Sequence, residues 1–242
     1  MDSGFYAACT GLLAQTQALD LVSENLANVS TSAYKARQAS FHTFLAQANI
    51  EPASLLSHAV NDYSILGNTS QSWLQGNLER TGNDLDVALQ GPGLFAIQTT
   101  SGVRYTRNGN FKVSAKGQLV TANGDIVLGQ NGPIPITSGK VSISTDGSVS
   151  INGALSGKLR IVDIPPQDLV QENAGVYASK ANAKPSTGTQ VQQGMLEGSN
   201  INAVQASVQL ITVQRHAEML QRALSEFHSE FNRIAANDLP RL

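Results

Sequence analysis

A chain of 242 residues that is 41% apolar, with a formal net charge of −2, is long enough to bury one sizeable core or two small ones, which excludes disorder throughout. Charged residues make up only 14%, well under the roughly 25% of ordinary soluble proteins, and form no basic patch, which excludes an electrostatic footprint for nucleic acid or anionic lipid. No window reaches the roughly 18 apolar residues of a membrane span, so direct membrane insertion is not expected.

In chain order, the first element is a helix. Residues 3 to 29 are rich in Ala and Leu and free of Pro; Phe5, Leu12, Leu19 and Leu26 recur at intervals of seven, and Ala8, Val22 and Val29 follow three of them at a distance of three. That spacing predicts an amphipathic helix with a coiled-coil seam, interrupted at Gln15. A Ser/Thr cluster with β-branched residues ends it, and Asn28 is placed at its C-terminus. Residues 1 to 34 contain no Lys or Arg, so a cleaved secretory signal is not expected. The single Cys9 has no intrachain partner for a disulfide and reads as a small core residue.

The terminal stretch 1–36 is followed by a polar span, 37–83, read as an extended connection. From 84 to 170 the pattern changes to short strands punctuated by Asn108-Gly109, Lys116-Gly117, Asn123-Gly124, Asn131-Gly132, Asp146-Gly147 and Asn152-Gly153, the chemistry of hairpin turns. This region is expected to be an antiparallel β domain, with Asp84 and Asp86 sharing a solvent face of a strand. Residues 171–200 read as a second connection, in which Ser199 or Asn200 offers an N-cap.

The last segment, 201–242, carries the plainest pattern. Leu210, Val213, Ala217, Leu220, Leu224, Phe227, Phe231 and Ile234 repeat at three and four through four heptads, a second coiled-coil seam. Two partners fit such a stripe: the N-terminal seam of the same chain, or other copies in a polymer. The expected fold is therefore α+β, with long N- and C-terminal coiled-coil helices flanking a central antiparallel β domain.

Signatures of chemistry are missing. His42, His58, His216 and His228 lack metal-ligand spacing and no Cys partners them. Gly91-Pro92-Gly93 lacks the third glycine and following helix of a dinucleotide loop. No nucleophile elbow places a Ser with a His and an Asp. No catalytic residue, metal site or cofactor is expected.

The run ENLANVSTSAYKA, residues 24 to 36, resembles the N-terminal signature of bacterial flagellar rod, hook and hook-associated proteins, an Asn-rich helix end leading into Thr-x-Gly-aromatic-basic; Ala33 stands in place of the Gly. QGMLEGSNIN, residues 193 to 202, and LITVQRHAE, residues 210 to 218, resemble the start of that family's C-terminal helix, with Ala217 in place of the usual aromatic. LDVALQGPGLFAI, residues 85 to 97, and YTRNGNF, residues 105 to 111, resemble the β-domain signature of its rod proteins. The length fits one β domain, as in the rod subunits, and LDVALQ with GPIPI, residues 132 to 136, looks closest to the proximal rod subunits, with the distal ones next.

The resemblance implies a structural subunit of the basal-body rod, which spans the periplasm and passes torque from motor to hook. It implies other rod and hook axial proteins and copies of the chain itself as partners, with the flagellar export apparatus as a partner during secretion. Residues expected at the assembly interface are Phe5, Leu12, Leu19, Leu26, Asn28, Leu210, Val213, Ala217, Leu220, Leu224, Phe227, Phe231 and Ile234. The alternative is a secreted fibre or adhesin, a binding module with a helical stalk and a β head.

Overall fold

The computed structural model of the protein describes residues 2–44, 63–173 and 175–238. The fold is α+β: a helix toward each end of the chain, with antiparallel strands between them in sequence. The described residues fall into two compact units, one from 2–27, 37–44, 63–71 and 202–238, the other from 28–36, 72–173 and 175–201. Among them no helix is long and apolar enough to cross a membrane.

The helical unit contains α1 (Asp2–Ala27), the strands β1 (Arg37–Phe44) and β2 (Tyr63–Gln71), and α2 (Ala203–Asp238). The 36 residues of α2 make a rod about 54 Å long. It begins later than either candidate cap allowed: the Asn202 side chain accepts the backbone N–H groups of Val204 and Gln205, so Asn202 is the N-cap, and Ser199 and Asn200 are not. β1 and β2 pair antiparallel, so part of the span expected as an extended connection is a sheet ladder. Its polar composition hid that ladder. α1 packs on both α2 and the β1–β2 pair. At the turn into β1 the Asn25 side chain donates to the Arg37 carbonyl at 2.8 Å and accepts the Arg37 N–H at 2.9 Å, satisfying the first backbone groups of the strand.

The second unit is built on strands. In chain order these are β3 (Leu78–Arg80), β4 (Val87–Gln90), β5 (Leu94–Thr99), β6 (Gly102–Thr106), β7 (Phe111–Val113), β8 (Leu119–Thr121), β9 (Ile126–Gly129) and β10 (Gly132–Pro133). Then come β11 (Val141–Ile143), β12 (Ser148–Ile151), β13 (Ala154–Lys158), β14 (Ile161–Asp163), β15 (Leu169–Asn173) and β16 (Val176–Ser179). The last are β17 (Lys184–Pro185), β18 (Gln190–Gln193) and β19 (Met195–Glu197). The main sheet runs β15-β16-β6-β5-β9-β8-β7, a smaller one β11-β12-β13, and the returning chain pairs β18 with β4 and β19 with β3. Residues 171–200, expected as a connection, thus supply β16 to β19 and close the unit.

β5 sits mid-sheet and is covered on both faces, because its alternating side chains feed two cores. Phe95 and Ile97 join Phe111, Val127, Leu119 and Val149, with Phe95 and Phe111 edge to face at 5.1 Å. Leu94 and Ala96 join Tyr105, Val162 and Tyr177 on the other side, where Trp73 packs on Tyr177 at 5.0 Å. Asn152 and Gly153 have φ of 50° and 85°, the two positive angles of a type I′ turn between β12 and β13. Asn108-Gly109 works differently. Gly109 is not in the positive-φ region; a Cβ there would sit 1.7 Å from the Val87 carbonyl oxygen, so the glycine serves close approach. Asp84 and Asp86 do not share a face: Asp86 is buried and accepts from Asn83 and Asn110, whereas Asp84 is exposed, because the chain turns before the strand starts.

Candidate assembly interface

On α2 the residues turned inward are Ala206, Leu210, Val213, Ala217, Leu220 and Leu224, in steps of four and three. Ala206 and Ala217 are buried and the four larger ones half-buried. A Cβ built on Gly11 of α1 would lie 3.5 Å from Leu220 Cδ1, so the two helices meet within one chain at that point. Phe227, on the expected row as well, is 50% exposed. The side chains of Phe5, Phe231 and Ile234 lie outside the described residues.

The stripe on α1 is displaced from the expected row. Leu12, Leu19 and Leu26 are half-buried, and the deepest positions are Ala14, Ala18, Leu21 and Val22. The physical reason is that α1 has two neighbours, α2 and the β1–β2 pair, so its buried arc is broad and centres on small residues that admit close contact. The heptad leucines fall on the rim of that arc. Asn28 follows the helix directly; its carbonyl accepts the Thr31 N–H at 3.1 Å and its side-chain oxygen the Thr31 hydroxyl at 3.1 Å, so it shapes the exit turn.

α2 also has a second apolar face. Val204, Val208, Ile211 and Met219 are 74%, 60%, 51% and 57% exposed, and with roughly 3.6 residues per turn they lie on the side opposite the inward stripe. Arg215 and Arg222 continue the row, and Glu218 pairs with Arg222 at 3.9 Å, an exposed contact of little energetic weight. On α1, Leu13 is also turned outward. Lone exposed apolar residues are ordinary, but four on one helical row form a stripe, the pattern of a protein contact surface.

In the strand unit three signature segments converge on one carboxylate. Glu197, at the end of β19, accepts from Lys35 Nζ at 2.6 Å and the Gly76 N–H at 3.0 Å through Oε1, and from Arg107 Nε at 2.6 Å through Oε2. Arg107 also donates to the Leu89 and Gly91 carbonyls, and Lys35 to the Leu74 carbonyl. All three ionic side chains are buried. Burial lowers the Lys35 pKa, with the Glu197 hydrogen bond and charge opposing. Burial also works against the Glu197 anion, but the field of Arg107 and hydrogen bonds from Lys35 and Arg107 outweigh it and hold the carboxyl below its usual range.

Around this cluster the backbones are stitched together. The Ala33 N–H donates to the Glu197 carbonyl at 2.7 Å, the Ala36 N–H to Asn200 Oδ1 at 2.8 Å, and Asn200 Nδ2 to the Ser72 and Leu74 carbonyls. Ala33 has φ of 59°, in the left-handed region, which accounts for the glycine of the resembling pattern at this position. None of Asn25, Lys35, Arg107, Glu197 and Asn200 stood out in the sequence as site residues. The available signal was their place in the three quoted motifs, and a charged residue within a motif gives no sign of burial.

Three family models match the chain. "Flagella basal body rod protein" matches residues 5–35, "Flagellar hook protein FlgE/F/G D1 domain" residues 88–151, and "Flagellar basal body rod FlgEFG protein C-terminal" residues 192–234. The chain is 30% identical to the flagellar basal-body rod protein FlgF of Caulobacter vibrioides over 251 aligned positions, covering 100% of both chains. The chain belongs to the flagellar basal-body rod protein family. It is also 32% identical to FlgF of Escherichia coli, covering 99% of this chain and 98% of that one. To the rod protein FlgG of Buchnera aphidicola from Schizaphis graminum it is 30% identical, with 89% and 92% covered. The likeness to the proximal type with the distal type next, seen in the motifs, is borne out by these matches. As a member of the rod family the chain is a structural component of the flagellar basal body and not an enzyme.

Proposed function

We propose that the chain is a rod subunit that polymerises through its terminal helices and thereby carries torque from the motor toward the hook. The observation that supports this reading is the two-faced α2. Its inward heptad row is occupied by α1 of the same chain, and the opposite row of Val204, Val208, Ile211 and Met219 is left to water. An open helical assembly needs a surface that is completed by a neighbour, and this row supplies it. The expected seam residues, from Leu12 to Leu26 and from Leu210 to Leu224, then act indirectly, by holding α2 so that its outer row is presented.

The partners in this reading are copies of the chain and other rod and hook axial proteins, reached after passage through the flagellar export apparatus. The full-length match to rod proteins leaves no observation favouring a fibre or adhesin head. Ile211→Asp puts a carboxylate in the outer row, where it costs a lone chain little but has no partner once covered. The variant is expected to unfold like the parent and to be lost from purified basal bodies, with motility abolished. Normal incorporation and motility of Ile211→Asp and Val208→Asp would refute the outer row as the assembly surface.

A further inference from the structure

We propose that Glu197 is a chain-closure latch: residues 28–36 dock on the strand unit only after the segment ending β19 has brought this carboxylate between Lys35 and Arg107. Glu197 is 162 positions from Lys35 and 90 from Arg107, so the anion that neutralises both buried cations arrives late in the chain. Before it arrives, seating Lys35 would place two like charges in one buried site, with backbone carbonyls as their acceptors. That arrangement is strongly unfavourable.

Several backbone groups of the docked segment bond to the same stretch. Ala33 donates to the Glu197 carbonyl, Ala36 to the Asn200 side chain, and the Asn200 N–H to the Tyr34 carbonyl, so three backbone contacts of residues 33–36 end on residues 197–200. The positive φ of Ala33 is a conformation that the free segment disfavours. The two apolar cores around β5 include no residue of 28–36, so closure of the latch is separable from folding of the sheet. Other ionisable groups nearby are Glu79, whose Oε1 approaches Gly198, and Asp163, which lines the same cavity of about 390 Å³ as Lys35 and Arg107.

The test is hydrogen exchange on the full-length protein, read as protection factors. In Glu197→Gln, the Ala33 and Ala36 amides are expected to lose protection about 100-fold or more, the loss of a buried charge partner, while Phe95, Ile97 and Val127 change less than about tenfold. Raising the pH from about 7 toward about 9.5 should recover protection in that variant, because Lys35 can shed its charge. Adding Lys35→Met should restore it at neutral pH. Equal loss in the segment and the core, or no restoration by Lys35→Met, overturns the proposal. If Glu197→Gln does not fold, Lys35→Met alone decides. Its Ala33 and Ala36 amides should stay protected as pH falls through the acid range in which the parent loses them, and a loss matching the parent overturns the latch.

Discussion

Replacing Leu220 by Ala tests the closure of the helix pair inside one chain. Leu220 is half-buried on α2, and its Cδ1 faces the bare backbone of Gly11 on α1. Removing a fully buried Leu side chain costs about 2 to 5 kcal/mol. Half burial reduces the transfer part, but Gly11 has no side chain to move into the space, so the cavity persists and the expected cost is about 2 kcal/mol. For a helical unit of this size that shifts the midpoint by on the order of 10 °C. Two probes separate the units: far-ultraviolet circular dichroism follows α1 and α2, while fluorescence of Trp73, the one tryptophan, follows the strand unit through its contact with Tyr177. The helical transition should fall and the Trp73 transition should hold. An unchanged helical transition would show that the α1–α2 contact carries no stability in the free chain, and the reasoning would fail.

Asn202→Ala removes the side chain that accepts the Val204 and Gln205 amides and should cost α2 about 1 kcal/mol, seen as faster exchange of those two amides. Ala33→Val places a β-branched residue at a φ of 59° in a buried site and should destabilise residues 28–36 by about 2 kcal/mol or more, measured by urea unfolding. Ala33→Gly should come within about 1 kcal/mol of the parent, because relieved strain is offset by the lost methyl burial and a freer unfolded chain. The junction also sets a pH dependence. The folded Glu197 pKa lies below its unfolded value, so this stability is present above the ordinary carboxylate range and is lost as pH falls through the folded value. Lys35, lowered by burial, adds to it as pH rises toward the ordinary lysine value. Urea unfolding followed by Trp73 should therefore show stability falling in acid and holding or rising on the alkaline side.

The stripe of Leu210, Val213, Ala217, Leu220 and Leu224 on α2 was legible because α2 packs chiefly on α1 among the described elements, and one main neighbour gives one stripe. α1 was legible as a helix, but of its deepest residues only Val22 lay on the expected seam. Its buried arc is set by two neighbours, and Ala14 and Ala18 carry no hydrophobic signal to outweigh Leu12 and Leu19. The hairpin alphabet found the β12–β13 turn at Asn152-Gly153, yet the same Asn-Gly pair at 108–109 serves backbone packing against Val87. β1 and β2 were missed because their polar residues show no alternation. The ionic junction was invisible for a different reason. A Lys, an Arg and a Glu spread over 162 positions are each ordinary surface residues until the fold brings them together, and pairing alone permits their burial.

In the proposed assembly α2 closes on α1 with one face and joins neighbouring subunits with the other. A photoreactive residue at position 211 or at position 220 reads both faces directly in purified basal bodies. From position 211 the expected adducts are to a second axial subunit, and from position 220 internal adducts to α1 of the same chain. Adducts between chains from position 220 with none from position 211 would contradict it.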